Sequence, residues 1–391
     1  MRIAKHHTVA LEEEHHTALR ETVRTFATKE VAPVAARIDL NDEFPADLYR
    51  RMGELGLLGL TTPVHLGGQG ADNVAMTIAI EELARASGTV ANACLLAKLQ
   101  SDVICRLGTQ EQTARHVPAI ASGASICLIA ATEPDAGSDV AAITTTARRE
   151  PDGWRINGSK AYMTAGAVGD LAVVLARTSD DDRDGLSLFL CPKAKGDDPT
   201  TGFVTLTKES LMGMRGLATA GLVFDGTLLP EDAMLGMEGK GLSGVLGSFT
   251  NGRIMIASLA LGLAAGAFDA SVRYARTRQS FGRRIGDHQM VQSMIADAHV
   301  GIETARLLIQ QAAKLKDAGH DYSQAASMAK LYASDVANRV ASDAVQIHGG
   351  FGYSQEAGIE RIFRDAKLTQ IYEGTNEIQR VIIARSLIGA A

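Results

Sequence analysis

Three long segments in the last part of the chain repeat their apolar residues at helical spacing, with only short turns between them. The segments run over about 241–278, 288–317 and 323–348. Helices of this length, joined by short connections, pack side by side in alternating directions. The sequence therefore predicts a C-terminal antiparallel four-helix bundle over residues 231–391, with Asp287 and Ser323 as N-caps of two of its helices.

The middle of the chain has a different pattern, in which short apolar runs alternate with turn signals. Turn residues such as Pro151-Asp152-Gly153 and Asn157-Gly158 separate the runs. The predicted strands are Ile126–Ala130, Ile143–Arg149, Trp154–Ile156, Leu171–Arg177, Leu186–Cys191, Phe203–Thr207 and Leu222–Phe224. We expect these strands to form a β-barrel or sandwich domain over residues 123–230.

The first part of the chain has helical spacing throughout and predicts an α-helical domain over residues 1–122. Its first helix is expected over 11–31 and should stop before Pro33, because proline lacks a backbone donor. Thr109 and Gln112 have the spacing of a capping box at the start of a later helix. The predicted fold class is thus α+β and multidomain, in the order helices, β domain, helical bundle.

Composition narrows the function classes. The chain has 391 residues and a net charge of −6. No basic stripe is present, which argues against nucleic acid as the main partner. Four cysteines without a C-x-x-C pair are typical of a reducing compartment. Residues 1–14 carry charge and histidine rather than an apolar core, and no apolar run approaches the roughly 20 residues that span a bilayer. We therefore expect a cytoplasmic protein.

The stretch Arg364–Arg380 contains the strongest candidate for catalysis. It predicts the end of one helix, a short connection with Glu373 and Gly374, and a last helix capped by Thr375. A carboxylate in an apolar cavity at such a joint would have a raised pKa and could act as a general base. The alternative is a solvated glutamate in a turn, and the stretch alone favours that alternative.

Four further stretches are candidates for ligand contacts, each with a structural alternative. Thr132–Asp139 follows a strand and could approach a flat or phosphorylated ligand, or could be an ordinary turn loop. Lys160–Gly166 places Tyr162 and Thr164 two residues apart, on one side of a strand, where they could form a wall for a heteroaromatic cofactor or Tyr162 could be a cross-strand tyrosine in a core. Arg276–Arg284 could bind phosphate or offset the dipole of a helix C-terminus. Gln346–Tyr353 ends a helix in glycines and offers no metal-ligand spacing.

The combination and order of these stretches resemble the acyl-CoA dehydrogenase family of flavoproteins. The resemblance covers about Leu11 to Ile388, and its most specific part is Ile371–Thr375. The chain is most similar to short- and medium-chain, straight-chain members. This resemblance implies FAD as the cofactor and α,β-dehydrogenation of an acyl-CoA to the trans-2-enoyl-CoA. It also implies a homotetramer that passes electrons to an electron-transfer flavoprotein, with no metal, nucleic acid or membrane involved.

The resemblance also implies roles for individual residues. Glu373 would remove the α-proton while hydride passes from the β-carbon to flavin N5. Ser138, Arg253 and Gly374 would contact the substrate. Ala131, Thr132, Tyr162 and Thr164 would line the isoalloxazine ring, and Gly137 and Ser138 would meet the FAD or the pantetheine arm of the substrate. Thr375 and Glu377 would also contact the FAD. The implied contacts to the FAD of a neighbouring subunit are Arg278, Phe281, Gln346 and Gly350.

Three positions depart from the family pattern. Tyr162 stands where many members have tryptophan, and Ile129 replaces a common aromatic residue. Thr250 stands where straight-chain members often have an aspartate that binds the pantetheine amide. A specialised thioester (branched, unsaturated or bound to acyl carrier protein) is therefore an alternative substrate. An oxygen-using oxidase and a non-catalytic or nucleic-acid-binding relative are further alternatives, although Glu373 disfavours the nitroalkane-oxidising type, where aspartate is expected.

Overall fold

The computed structural model describes residues 13–181, 185–193 and 202–389. The predictions for the extreme N-terminus fall mostly on residues 1–12, outside this described part. Within it, helices run to residue 121, strands occupy residues 127–235, and helices resume at residue 241. The predicted order of helices, β domain and helices is confirmed. The precise domain boundaries at 122/123 and 230/231 remain predictions.

The N-terminal helices match the predicted pattern except near Pro33. The helices are α1 (Glu14–Phe26), α2 (Ala32–Asn41), α3 (Ala46–Glu54), α4 (Asn73–Ala86), α5 (Gly88–Leu107) and α6 (Gln110–Ala121). The first helix ends before Pro33 as predicted, but the chain stays helical there, because α2 begins at Ala32 and contains Pro33 in its first turn. A π-helical turn, Ala27–Val31, joins α1 to α2, and the Ala32 N–H bonds to the Ala27 carbonyl five residues back. This shifted register makes room for the proline ring in the first turn of α2.

Capping residues fix the starts of several helices. The predicted capping box of α6 is confirmed, since the Gln112 N–H donates to Thr109 Oγ1 (3.2 Å) and the Thr109 N–H donates to Gln112 Oε1 (3.0 Å). Asp72 caps α4 by accepting from the Ala75 N–H at 2.7 Å. These bonds satisfy backbone donors that a helix start leaves unpaired.

The middle region forms a mixed sheet. Its strands are β1 (Cys127–Ala130), β2 (Thr146–Glu150), β3 (Gly153–Met163), β4 (Leu171–Arg177), β5 (Leu186–Pro192), β6 (Phe203–Lys208), β7 (Ala220–Leu229) and β8 (Met234–Leu235). Their spatial order is β6-β7-β3-β2-β4-β5-β8, and β1 pairs in parallel with β4. A cluster of buried apolar side chains that is separate from the larger core of the protein lies on this sheet and includes Trp154, Phe189 and Phe224.

Two local predictions in the sheet were wrong. The Asn157-Gly158 pair does not end a strand, because β3 continues to Met163 with a register irregularity at this point. Gly158 has φ +145° and is packed so closely on Thr145 that no side chain would fit. Thr164 lies in the turn after β3, and Tyr162 has φ +60°, so these residues do not share one face of a regular strand.

The C-terminal region is helical, as predicted. It contains α7 (Gly241–Thr277), α8 (Gln289–Asp317), α9 (Ser323–His348), α10 (Ile359–Leu368) and α11 (Asn376–Ile388), with a short hairpin of β9 (Gln279–Ser280) and β10 (Arg283–Arg284) after α7. The predicted caps were misplaced. His288 and Tyr322 occupy the N-cap positions of α8 and α9, and Asp287 instead pairs with Arg284.

Helix α7 lies at the centre of the molecule. It packs against α4, α5, α8 and α9. By length and hydropathy it could cross a membrane, contrary to the expectation that no such run exists, but 83% of its most apolar window is buried inside the protein. We therefore assign α7 as a core helix.

A buried ionic cluster joins the N-terminal helices to the bundle. Glu81 on α4 bonds to Arg306 of α8 (2.7 Å) and to Arg20 of α1 (3.0 Å). The neighbouring Glu82 accepts from Arg20 (2.6 Å) and from Arg24 (2.7 and 2.8 Å). Burial alone would raise the pKa of Glu81, but Arg20 and Arg306 hold it well below the usual range. Removing one partner from such a cluster leaves buried charge uncompensated.

We expect Glu81→Gln to lower the free energy of unfolding by about 3–5 kcal/mol, because Arg306 and Arg20 lose their shared anion. Since the folded pKa of Glu81 lies below its unfolded value of 4.5, this stabilisation is complete above that pH and declines as the pH falls. Urea denaturation at pH 7 and pH 4 measures both effects. Glu21→Gln, at an exposed position on α1, is the control and should change stability little. Equal stabilities of the two variants at pH 7 would contradict the assignment.

Candidate active site

The connection between α10 and α11 has an unusual backbone at Glu373 and Gly374. Glu373 has φ +53° and Gly374 has φ +86°. Glycine adopts this conformation without strain, as the sequence predicted. The left-handed conformation of Glu373 itself was not predicted, and it costs about 1–3 kcal/mol for a residue with a side chain. Thr375 caps α11 as expected, because the Ile378 N–H donates to its Oγ1 at 3.4 Å.

The turn aims the Glu373 carboxylate at helix α7. Glu373 as a residue is only half-buried, but its Oε2 atom is inaccessible to solvent and has no hydrogen-bond partner among the described residues. A Cβ added to Gly252 of α7 would collide with Oε2. The carboxylate therefore lies directly on the helix backbone, in a gap that only glycine leaves open. The solvated turn glutamate considered above is ruled out by this burial.

Burial sets the proton affinity of this carboxylate. It raises the pKa of Glu373 to about 7, although the nearby cations Arg253 and Lys330 act in the opposite direction. Burial likewise lowers the pKa of Arg253, whose Nε has no partner within the described residues. Among the described residues its Nη1 reaches Thr250 Oγ1, at 3.5 Å. The site thus contains a buried carboxylate and a buried guanidinium, each with an unused polar atom.

Two residues at this site were missed by the sequence reasoning. The sequence reasoning did not single out Gly252, which is one of six glycines in α7, although a glycine inside a helix allows the close approach of another group. Lys330 interrupts an apolar stripe of α9, and its Nζ donates to the Gly374 carbonyl at 2.8 Å. A lysine on the buried face of a predicted helix was the available signal for it.

A second group of predicted residues meets where β3 faces the loop after β1. The Ala161 N–H donates to the Thr132 carbonyl (3.0 Å), and the buried Lys160 Nζ donates to the Ala131 carbonyl (3.1 Å). Lys160 also pairs with Glu133 at 2.9 Å, and Glu133 accepts from the backbone N–H groups of Thr144 (2.7 Å) and Thr145 (2.9 Å). This pairing, which the sequence did not reveal, fixes Ala131 and Thr132 beside β3, the strand that carries Tyr162.

The surface is open at several of these positions. The Tyr162 side chain is 62% exposed. Thr164 is half-buried, and Ser138 is exposed on the loop after β1. A Cβ placed on Gly137 would meet no atom within 4 Å. These features fit a flat aromatic cofactor on the Thr132–Tyr162 side, with phosphate oxygens near the loop at Gly137 and Ser138.

The remaining predicted residues collect at the end of the bundle. Tyr274 near the end of α7 stacks on His348 at the end of α9, with ring centroids 4.3 Å apart. This contact brings together the segments that carry Arg278, Phe281, Gln346 and Gly350. All four residues are exposed, and Phe281 is 94% exposed with φ +52°. Contacts of the described residues do not join this group to Glu373 of the same chain. Glu377 is likewise exposed, on the first turn of α11.

One group of side chains has the composition of a metal site, but its hydrogen bonds indicate a capping role. His15, His16 and Asp72 bring their ligand atoms within 4.8 Å of one another. However, His16 Nδ1 accepts from the Glu13 N–H (3.3 Å), so its Nε2 carries the proton given to Asp72 (3.0 Å). Because Nε2 is protonated, it offers no lone pair to a cation.

Comparison with known proteins identifies the family. Residues 13–124 match the acyl-CoA dehydrogenase N-terminal domain, residues 128–227 the middle domain and residues 239–388 the C-terminal domain. An acyl-CoA dehydrogenase of Bacillus subtilis (strain 168) is 41% identical over 95% of this chain and 97% of its own length. The mitochondrial short-chain specific acyl-CoA dehydrogenase of Homo sapiens is 41% identical over 96% of this chain and 90% of its own.

Solved structures agree with this result. Butyryl-CoA dehydrogenase from Megasphaera elsdenii has a TM-score of 0.92 at 34% identity, covering 96% of this chain and 99% of its own. A chain from a study of the electron transferring flavoprotein of Acidaminococcus fermentans has a TM-score of 0.94 at 38% identity, covering 97% of this chain and 99% of its own. The protein therefore belongs to the acyl-CoA dehydrogenase family, whose members are FAD-dependent oxidoreductases.

Proposed function

We propose that the protein converts an acyl-CoA thioester into the trans-2-enoyl-CoA, with Glu373 as the base that removes the α-proton. The observation that carries this proposal is the inaccessible Oε2 atom of Glu373, which has no hydrogen-bond partner among the described residues and belongs to a carboxyl with a pKa of about 7. A carboxylate whose lone pairs are already bonded would be a weaker base. One that is desolvated and unpaired is matched to proton abstraction near neutral pH.

The surrounding residues support this role by charge and by shape. Arg253 and Lys330 keep part of the Glu373 population ionised despite burial. The left-handed turn at Glu373 directs the carboxylate away from the solvent. In the solvent, water would compete with a substrate C–H for the carboxylate oxygens. FAD, when bound, supplies the acceptor at flavin N5 for the hydride of the β-carbon. The proton then resides on the Glu373 carboxyl.

The predicted cofactor contacts fall into the two sets described above. We propose that Ala131, Thr132, Gly137, Ser138, Tyr162, Thr164, Thr375 and Glu377 hold the FAD of their own subunit. Arg278, Phe281, Gln346 and Gly350 lie together on an exposed end of the bundle, which suits contact with the FAD of a neighbouring subunit. We accordingly propose a homotetramer. Ser138, Arg253 and Gly374 are proposed substrate contacts.

Similarity to short-chain specific and butyryl-CoA dehydrogenases supports a short, straight acyl chain. Thr250 is an uncharged residue where straight-chain members often have an aspartate, and its Oγ1 donates to the Leu246 carbonyl at 3.0 Å. We propose CoA as the carrier, an electron-transfer flavoprotein as the electron acceptor, and a cytoplasmic location.

The decisive variant is Glu373→Gln. We expect it to keep bound FAD but to lose about 10²–10⁴-fold in the rate of anaerobic flavin bleaching by butyryl-CoA, because the amide cannot accept the α-proton. Stopped-flow absorbance measures this rate. Glu356→Gln, at an exposed glutamate between α9 and α10, is the control and should bleach at the wild-type rate. Wild-type bleaching in Glu373→Gln would show that Glu373 is not the base.

The rate of flavin bleaching should also depend on pH. Glu373 must be ionised to act as a base, and its pKa is raised to about 7. The rate should therefore rise as the pH increases through about 7 and level off above it, falling about tenfold for each pH unit below. Single-turnover measurements between pH 5.5 and 9 (roughly 1.5 to 2 units on either side) test this. A flat profile across that range would contradict the raised pKa.

Gly252→Ala tests the close approach of the carboxylate to α7. The new methyl group would occupy the position of Oε2 and displace the carboxylate, which we expect to slow bleaching by about 10²-fold. Gly247→Ala on the same helix is the matched control, because the atoms nearest to its methyl group belong to the Arg106 guanidinium, the flexible end of an exposed side chain that bonds to the Gly244 carbonyl. Equal rates in the two variants would argue against the packing of Glu373 on Gly252.

A further inference from the structure

Lys330 is a fully buried lysine on α9, with none of its surface exposed. It lies among the alanines of the apolar stripe that faces α7, including Ala326, Ala329 and Ala333. Burying an ammonium group is costly, so a lysine in such a place needs hydrogen-bond acceptors and nearby negative charge. Burial lowers the pKa of Lys330 to about 7, although Glu373 and Asp335 act against this shift.

The acceptors of Lys330 lie just after the proposed base in the chain. Its Nζ donates to the Gly374 carbonyl (2.8 Å) and to Asn376 Oδ1 (2.9 Å). Gln379 Nε2 donates to the same Gly374 carbonyl at 2.8 Å. Two side-chain donors, from α9 and α11, therefore hold one backbone carbonyl.

The amide of Asn376 is fixed as well, so that Lys330 bonds to a rigid partner. Asn376 Nδ2 donates to Ser334 Oγ (2.9 Å) and to Asp335 Oδ1 (2.8 Å), both on α9. The Asn376 N–H donates to the Gln370 carbonyl at 3.0 Å. Lys330 and Asn376 thus attach both ends of the connection to α9.

These bonds stabilise a backbone that would otherwise relax. Glu373 is held in a left-handed conformation that is strained for a residue with a side chain. A free connection would move toward ordinary φ values and swing the carboxylate away from Gly252. Fixing the Gly374 carbonyl restrains the peptide group between Gly374 and Thr375, one residue beyond the strained Glu373, and so opposes that rotation.

Lys330 also contributes charge. Several ionisable groups surround the pair from the neighbouring elements. They are Arg253 on α7, Asp335 on α9, Asp365 on α10, Tyr372 in the connection and Glu377 on α11. Lys330 and Arg253 are the cations that lower the pKa of Glu373, against the effect of its burial. Arg253 has no direct bond to the connection among the described residues, whereas Lys330 combines charge with two bonds.

We propose that Lys330 is a positioning residue for the reaction: it holds the Gly374 carbonyl so that Glu373 faces α7, and its ammonium group favours the ionised form of the nearby Glu373 carboxylate. This inference rests on the proposed role of Glu373 as the base. Lys330 thus has two effects, since it bonds α9 to the connection and acts on the charge of Glu373. The two effects can be separated by experiment.

Three variants separate the bond from the charge, each tested with FAD bound. Lys330→Met removes both, and we expect bleaching by butyryl-CoA to slow by about 10²-fold at pH 7, with the rising limb of the pH profile moved to higher pH. Lys330→Gln retains an amide donor without charge, so part of the plateau rate should return while the limb stays shifted. Gln379→Leu removes only a neutral donor to Gly374, and should lower the plateau without moving the limb.

Lys29→Met, at an exposed lysine in the turn between α1 and α2, is the control and should leave both plateau and limb unchanged. The proposal is overturned if Lys330→Gln, with FAD bound, has the wild-type limb. It is also overturned if Gln379→Leu moves the limb as far as Lys330→Gln does, since the shift would then reflect geometry alone. If Lys330→Met loses FAD, the comparison of Lys330→Gln with Gln379→Leu still tests the proposal. Bleaching by Glu373→Gln at the wild-type rate would instead reject the proposed base.

Discussion

The packing of the Glu373 carboxylate on the backbone of α7 is the contact on which the candidate site depends. It requires a glycine at position 252, a left-handed turn at residue 373, and a helix that passes through the centre of the protein. Because α7 is enclosed by helices from both ends of the chain, water cannot reach Oε2 from the α7 side. The raised pKa of Glu373 is therefore a property of the whole helical assembly as well as of the turn.

Such a site must be stabilised against its own strain and desolvation. A left-handed glutamate and an unpaired buried carboxylate both disfavour the folded state. The compensating bonds are close by. They are the Thr375 cap, the two hydrogen bonds donated to the Gly374 carbonyl, and the bonds from the Asn376 side-chain amide to residues of α9. Farther away, the cluster around Glu81 attaches α1 and α8 to α4, which itself packs on α7. Stability supplied elsewhere thus permits a high-energy group at the site.

The sequence predicted the features that depend on local pattern. Helical period located α7, α8 and α9 to within one residue at each end, and the Thr375 and Thr109 caps were confirmed because their partners lie three residues away. Local rules failed where tertiary contacts override them. A π-helical turn before α2 allows the chain to stay helical through Pro33. Gly158 packs closely on Thr145 inside a strand instead of forming a turn. Both glycine and proline have several structural uses that the sequence alone does not distinguish.

The candidate site shows the same division more clearly. Glu373 was identified because its neighbours resemble a known motif, but the groups that determine its proton affinity are distant in the chain. Gly252 precedes it by 121 residues and Lys330 by 43. In the sequence, Gly252 is one small residue of a long helix and Lys330 is one lysine among alanines, so neither residue stands out. A base can be recognised from a short stretch, whereas its pKa depends on which helices fold against that stretch. Sequence positions that interrupt the buried face of a predicted helix are accordingly the places to search for such partners.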